Sequence, residues 1–373
     1  MIVWGLDENY ETQSGTQLNV EDLVEERDSK HYFYLVSIGV VTLTAAIFAL
    51  GIGSSDSLGF WKTTRIILQL DQPTDIQSAI LLEIRLPRIL MAIFTGIALA
   101  TAGTLMQGSL GNPLVSPLTL GVASGASLGA ALAIILGFSV IGDSDSFFAN
   151  VIPNTILVVN TFVFSLIVVF IILKLGQVRG VSAESYILVG IAITFIAGAI
   201  VSTLTYFATD QQLAQLTHWS FGSVSRPNLV TVLWVGVILG AIFPALMKYS
   251  WDLNTLALGG DDFAISTGVN PAVVRKNILI ISALITSLII AFTGLIGFVG
   301  LAAPHIGRLV IGNDYRKLVP CSAFIGALLV LIADTIGRTI VAPIVIPVGV
   351  MLSIIGGPFF LYLLLARRSE RYG

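Results

Sequence analysis

Residues 89–142 contain no charged side chain. A soluble chain has little means of burying so long an apolar run, whereas a bilayer requires one: a crossing helix needs about 20 mainly apolar residues. The run is too long for a single crossing. Gly111-Asn112-Pro113 and Ser116-Pro117 divide it, because proline stops helices and Asn and Gly favour turns. The same criterion gives about ten candidate spans along the chain, at 34–53, 88–108, 118–138, 155–173, 186–208, 229–247, 277–296, 297–311, 319–336 and 345–365. Composition agrees. Of 373 residues, 55% are hydrophobic and only 11% charged, against roughly 25% charged in soluble domains. The expected fold is an all-α polytopic membrane protein lying in a lipid bilayer, with 294–308 the region most open to miscounting.

Ahead of the first span, residues 1–33 are polar and acidic. They lack the basic start and immediate apolar core of a signal peptide, so a flexible tail, disordered or loosely helical, and no cleavable leader are expected. Residues 367–373 form a short basic end. Net charge is -3 and there is no basic patch, so no nucleic acid is expected as a partner. The single cysteine, Cys321, excludes an internal disulfide and a cysteine metal cluster, and reads as a small buried side chain. With ten spans both termini share a side. Thirteen of the nineteen Lys and Arg residues fall on it; the others are Lys62, Arg65, Arg85, Arg88, Arg226 and Arg338. The positive-inside rule places both termini in the cytoplasm.

A polar island at 251–276 lies on the same cytoplasmic side. Gly259-Gly260 break what precedes, and Asp261 or Asp262 can cap a helix N-terminus. Phe263 to Thr267 make about a turn and a half, Gly268 sits where a left-handed C-terminal residue belongs, and Pro271 opens the next element. A helix so short cannot hold itself in water, so a partner is expected to dock on it. An ordinary polar loop with a capped turn fits the same residues.

On the outer side Arg85 and Arg88 flank Leu86-Pro87, with Arg338 on the same face. Long basic side chains snorkel at interfaces. Three guanidiniums against the positive-inside trend suggest instead a site for an acidic partner, since Arg can fork onto one carboxylate. Asp334 stands four residues before Arg338, which makes a local pair if the helix continues. Between the fifth and sixth spans, residues 209–228 are polar and contain His218 and Trp219. A re-entrant helix at the mouth of a path and an exterior loop fit them equally. Gly121, Gly125 and Gly129 give one small helix face for packing in lipid, and Gly294, Gly297 and Gly300 recur every three residues.

No G-x-x-x-x-G-K-[ST] phosphate loop, H-E-x-x-H motif or cysteine pair is present, and the histidines are His31, His218 and His305. The chain is therefore not expected to hydrolyse ATP or to hold a metal or cofactor itself. Ionisable groups within spans are few. His305 reads as a hydrogen-bonded interior histidine. A carrier driven by an ion gradient through His305 and Asp334 is the alternative function class, although such carriers normally show more carboxylates in mid-span.

Four stretches together carry a resemblance: RLPRILMAIFTGIALATAGTLMQGSLGNPLVSPLTLGVASGASLGA (85–130), LALGGDDFAISTGVN (256–270), GLIGFVGLAAPHIGRL (294–309) and ADTIGRTIVAPIVIPVGVMLSIIGGPFFLYLLL (333–365). In this order and spacing they resemble the FecCD/BtuC-type permeases of ABC importers for iron–siderophore, haem and cobalamin, from about residue 34 onward. The resemblance implies a type II importer permease of ten helices, with the path between two identical or homologous permease subunits. It implies two ATPase subunits, which bind the ATP and magnesium. They would dock on Gly259, Gly260, Asp261, Asp262, Phe263, Ala264, Ser266, Thr267 and Gly268. It implies an extracytoplasmic substrate-binding protein whose glutamates meet Arg85, Arg88 and Arg338. The path and outer gate would be lined by the helix ending near Ala208 and by 209–228, with Thr203, Gln211, Gln215 and Trp219 as candidates. A ferric siderophore is the expected cargo, before haem and cobalamin. The acidic tail is longer than the family usually has.

Overall fold

The computed structural model describes residues 10–11, 17–18, 20–53, 58–141, 154–178 and 183–369. Twelve helices run through them: α1 (Val20–Gly51), α2 (Phe60–Ile67), α3 (Asp75–Ser109), α4 (Leu118–Leu136), α5 (Thr155–Val178), α6 (Ala183–Tyr206), α7 (Asp210–Ser220), α8 (Leu229–Ser266), α9 (Pro271–Thr293), α10 (Val299–Ile311), α11 (Tyr315–Thr339) and α12 (Val348–Ser369). Eight are long and apolar enough to cross a membrane. Two shorter apolar helices, Val299–Ile311 and Val348–Phe359, occupy the remaining expected spans. A two-rung ladder between Tyr10–Glu11 and Gln17–Leu18 is the strand pairing among the described residues.

Helix α3 is the hub. In its most apolar window 78% of residues are buried, and α8, α9, α10 and α11 pack around it. Glycines bring backbones into contact there. A Cβ on Gly96 would lie 2.3 Å from the Gly326 carbonyl oxygen of α11, and one on Gly103 would lie 2.0 Å from that of Gly300 on α10. In lipid such close packing, not hydrophobicity, holds helices together. Gly125 and Gly129 bring α4 against the α5 backbone in the same way.

Gly294, Gly297 and Gly300 do not form one helical face. Gly294 and Gly297 lie in an irregular link, and α10 starts only at Val299. The link is threaded between other segments: Ser223 N–H donates to the Thr293 carbonyl (2.7 Å), and Leu295 packs on the Gly349 backbone. Non-helical chain at membrane depth is tolerated where protein surrounds it.

Two boundaries also move. Helix α3 begins at Asp75, with a Thr74–Gln77 capping box, and passes through a π-helical turn, Ile80–Arg85, before Pro87. Proline has no N–H for the usual backbone bond, and the wider turn absorbs the defect. Arg85 and Arg88 therefore sit within a helix instead of ahead of one. At the N-terminus, α1 is unbroken from Val20, so 20–33 are helical and continuous with the first span. An i,i+4 pair of Glu26 with Lys30 and a tie from Asp28 to Lys317 hold that part in place. The remainder of the acidic tail, at 1–9, 12–16 and 19, and the end of the basic C-terminus, at 370–373, lie outside the described residues. Helix α6 is the most exposed span, with 11% of its window buried.

Candidate functional site

The end of α8 is a separate short helix, set off by a kink at Gly260 (φ 71°, ψ -159°). Glycine alone adopts that backbone without strain, and a Cβ on Gly259 would lie 2.5 Å from the Cβ of Phe263. The short helix closes in a Schellman arrangement. Val269 N–H donates to the Ala264 carbonyl (2.8 Å), and that of Gly268 (φ 87°) donates to Ile265 (3.0 Å). The Asn270 side chain then caps α9 by accepting from the N–H groups of Ala272 and Val273, with Pro271 in the first turn.

Asp261 does not spend its carboxylate on a cap. It receives both arms of Arg275, at 2.7 and 2.6 Å, while Arg275 Nε donates to the carbonyl of Ser109 (2.8 Å) at the end of α3. One guanidinium thus ties the short helix to α9 and to the hub. Ala264 is buried, whereas Asp262, Phe263, Ile265, Ser266, Thr267 and Gly268 are exposed. Leu258 before the kink and Phe263 and Ile265 after it are apolar side chains left exposed among polar groups. Sequence reading did not single out Arg275. It is fourteen residues from Asp261, around a proline-opened corner, and no helical spacing links them.

The stem of α8 is held as well. Asn254 donates to Asp314 (2.7 Å) and accepts from the Tyr315 N–H (2.8 Å), and Arg316 lies 4.4 Å over the Trp251 ring. Burial would raise the Asp314 carboxyl, but hydrogen bonds from Arg316 and Asn254 outweigh it and hold it down to about 2.

At the other end of α1, Arg85, Arg88 and Arg338 do converge, but they point inward. Arg85 donates to the Leu50 carbonyl (2.7 Å), and Arg338 to those of Ile52 (3.0 Å) and Ala49 (3.3 Å). Cations on the last carbonyls of a helix also suit its dipole. Arg88 forks onto Asp334 at 2.9 to 3.0 Å. The local ion pair of Asp334 with Arg338 forms too, at 3.2 Å, since α11 continues to Thr339. Arg88 and Arg338 share one carboxylate that is 3% exposed, and Arg85 lies with them along a cleft of 250 Å³. His305, half-buried on α10, is engaged as well. Among the described residues no three His, Cys, Asp or Glu side chains gather as a metal site.

Residues 209–228 contain the helix α7, opened by a Thr209–Gln212 capping box. Gln212 donates to the Ile135 carbonyl (3.0 Å) at the end of α4. Arg226 donates to the carbonyls of Thr293 (2.7 Å), His218 (2.7 Å) and Trp219 (3.2 Å), joining the C-terminal ends of α7 and α9. Burial pushes its pKa down to about 10, so it stays charged at neutral pH against two negative helix ends. Gln211, Gln215, His218, Trp219 and Arg226 line a cleft of 910 Å³ between α7, the end of α4 and the start of α5. Thr203 is not brought there. It is exposed on α6, and its hydroxyl bonds back to Ala199.

Among the described residues, eight apolar helices of membrane length and two shorter ones, with a hinged helix at one end and a basic cluster at the other, make up a polytopic membrane subunit. Residues 41–366 match the FecCD transport family, and the chain belongs to that family of ABC importer permeases. It is 38% identical to the hemin transport system permease protein HmuU of Yersinia pestis, over 90% of this chain and 97% of that one. It is 32% identical to the molybdate import system permease protein MolB of Haemophilus influenzae, over 87% and 91% respectively. A solved metal-chelate type ABC transporter in an inward-facing conformation matches with a TM-score of 0.75 at 29% identity, over 89% of this chain and 98% of that one. Membership of this family sets aside the ion-gradient carrier.

Proposed function

We propose that the chain forms half of the path of a metal-chelate importer, pairing with a second permease subunit and driven by two ATPase subunits that bind the ATP and magnesium. The observation that carries this reading is the short helix after Gly260. Its exposed Phe263 and Ile265 need a groove to fill, and Arg275 passes any displacement on to α3 and α9. Movement imparted by touch requires a stiff connection, and a two-armed guanidinium supplies one. Both termini and this helix are assigned to the cytoplasm, and the arginine cluster to the outer side.

A substrate-binding protein would dock at the cluster through carboxylates, because among the described residues Asp334 is the one carboxylate paired there, with Arg88 and Arg338, and Arg85 holds a backbone carbonyl instead. To reach Arg85 and Arg338, those acids would displace the carbonyls at the end of α1. A ferric siderophore is the proposed cargo, with haem and cobalamin next.

Phe263→Ala tests the docking helix. The variant should insert and fold as the natural chain does, yet bind the purified ATPase about tenfold or more weakly, as when an anchoring aromatic is truncated. Wild-type affinity would remove the docking site from 261–267. The cargo is tested by equilibrium binding of a ferric hydroxamate, hemin, cobalamin and molybdate to the cognate binding protein. Retention of molybdate alone would overturn the chelate assignment.

A further inference from the structure

The family match begins at residue 41, yet α1 runs unbroken from Val20. Among the described residues, its extension ahead of the membrane is tied to the bundle through Lys317. Asp28 pairs with Lys317 in the first turn of α11, and the same ammonium lies 5.4 Å from the ring centre of Tyr32. Lys317 is buried, and Asp28 is the one carboxylate within ion-pair distance of it among the described residues. A buried ammonium is costly, and at a helix N-terminus it also opposes the helix dipole. Lys317 therefore needs a counter-ion from outside its own helix. Asp314 is already committed to Arg316 (2.8 Å) and Asn254 (2.7 Å). The residues next to Lys317 are the ones that hold the α8 stem: Tyr315 N–H on Asn254, and Arg316 over Trp251. The corner 314–317 thus contacts the α1 extension on one side and the stem of the docking helix on the other.

We propose that the N-terminal extension is a working part of the coupling apparatus. Asp28 positions Lys317, Lys317 fixes the corner 314–317, and the corner sets the arm of α8 that presents the helix after Gly260. The proposal rests on the reading that an ATPase docks on that helix. Asp28 is a positioning residue that touches neither cargo nor nucleotide.

Hydrogen exchange of the purified chain in lipid nanodiscs tests the brace with no partner present. In Asp28→Asn the amides of Thr267, Gly268 and Val269 should exchange on the order of tenfold faster. That lies between the small effect of losing a surface pair and the much larger one of stripping the counter-ion from a buried charge, because Lys317 is buried and Asp28 is half-exposed. Amides of α7, near the opposite end, should keep wild-type rates. Asp28→Glu, and the charge swap Asp28→Lys with Lys317→Asp, should restore protection. Unchanged exchange in Asp28→Asn overturns the proposal, and so does a uniform rise that includes α7. With purified ATPase subunits added, their affinity for the Asp28→Asn permease should fall by a similar factor and recover in the charge swap. Wild-type affinity alongside faster exchange overturns the link to coupling. If the ATPase fails to bind even the natural chain, the docking reading itself fails, while the exchange experiment still judges the brace.

Discussion

Removing Asp261 should loosen the short helix more than removing Arg275, although the two side chains bond each other. The asymmetry comes from burial: the Arg275 side chain is 10% exposed and that of Asp261 is 47% exposed. Asp261→Ala leaves a guanidinium nearly sealed from water with two of its three bonds gone. Breaking a buried pair costs about 3–5 kcal/mol, reduced here to about 2–3 because one side of the pair is wet. Arg275→Met keeps most of the volume and lets Asp261 hydrate. What remains is the Ser109 carbonyl without its donor, about 1–2 kcal/mol. Chymotrypsin cleavage after the exposed Phe263 reports the opened fraction when opening is fast relative to cleavage. At about 1.4 kcal/mol per factor of ten, Asp261→Ala should be cut roughly 30- to 150-fold faster than the natural chain, and Arg275→Met roughly 5- to 30-fold faster. Equal acceleration, or a faster Arg275→Met, would refute the argument that burial decides the cost. One consequence is practical. Charge reversal at Asp261 and Asp262 would break this internal tie as well as alter the docking surface, so Phe263→Ala is the cleaner probe of docking.

Asp334→Asn removes the carboxylate that pairs with Arg88 and Arg338 and should lower stability by about 3–5 kcal/mol in mixed-micelle unfolding; a loss under about 1 kcal/mol would mean that water already screens the arginines. Arg226→Ala unfastens α7 from α9. Spin-label distances between those helices should broaden while ATPase affinity stays unchanged, and an unbroadened distribution would show that Gln212 alone holds α7.

The two faces of the molecule were legible in the sequence to different depths. The apolar spans, about ten of them, the break at Gly259-Gly260, the left-handed Gly268 and the start at Pro271 are local matters. Each is decided by the length a bilayer demands or by the backbone preferences of a few adjacent residues. The order of the motifs was enough to place the chain in its family. The three-residue glycine spacing at 294–300 misled because it presupposes a helix, and there the chain is a link threaded through protein.

By itself, then, the sequence determined that this chain crosses a membrane about ten times and carries a hinged polar helix between two of the crossings. Only the tertiary structure decided which way its charges face. Asp261 finds Arg275 around a corner, Arg88 finds Asp334 and Lys317 finds Asp28 across the bundle, the last two pairs 246 and 289 residues apart. Pairing at that range depends on how helices stack, and stacking is set by many weak backbone contacts at glycines that no single stretch of sequence displays.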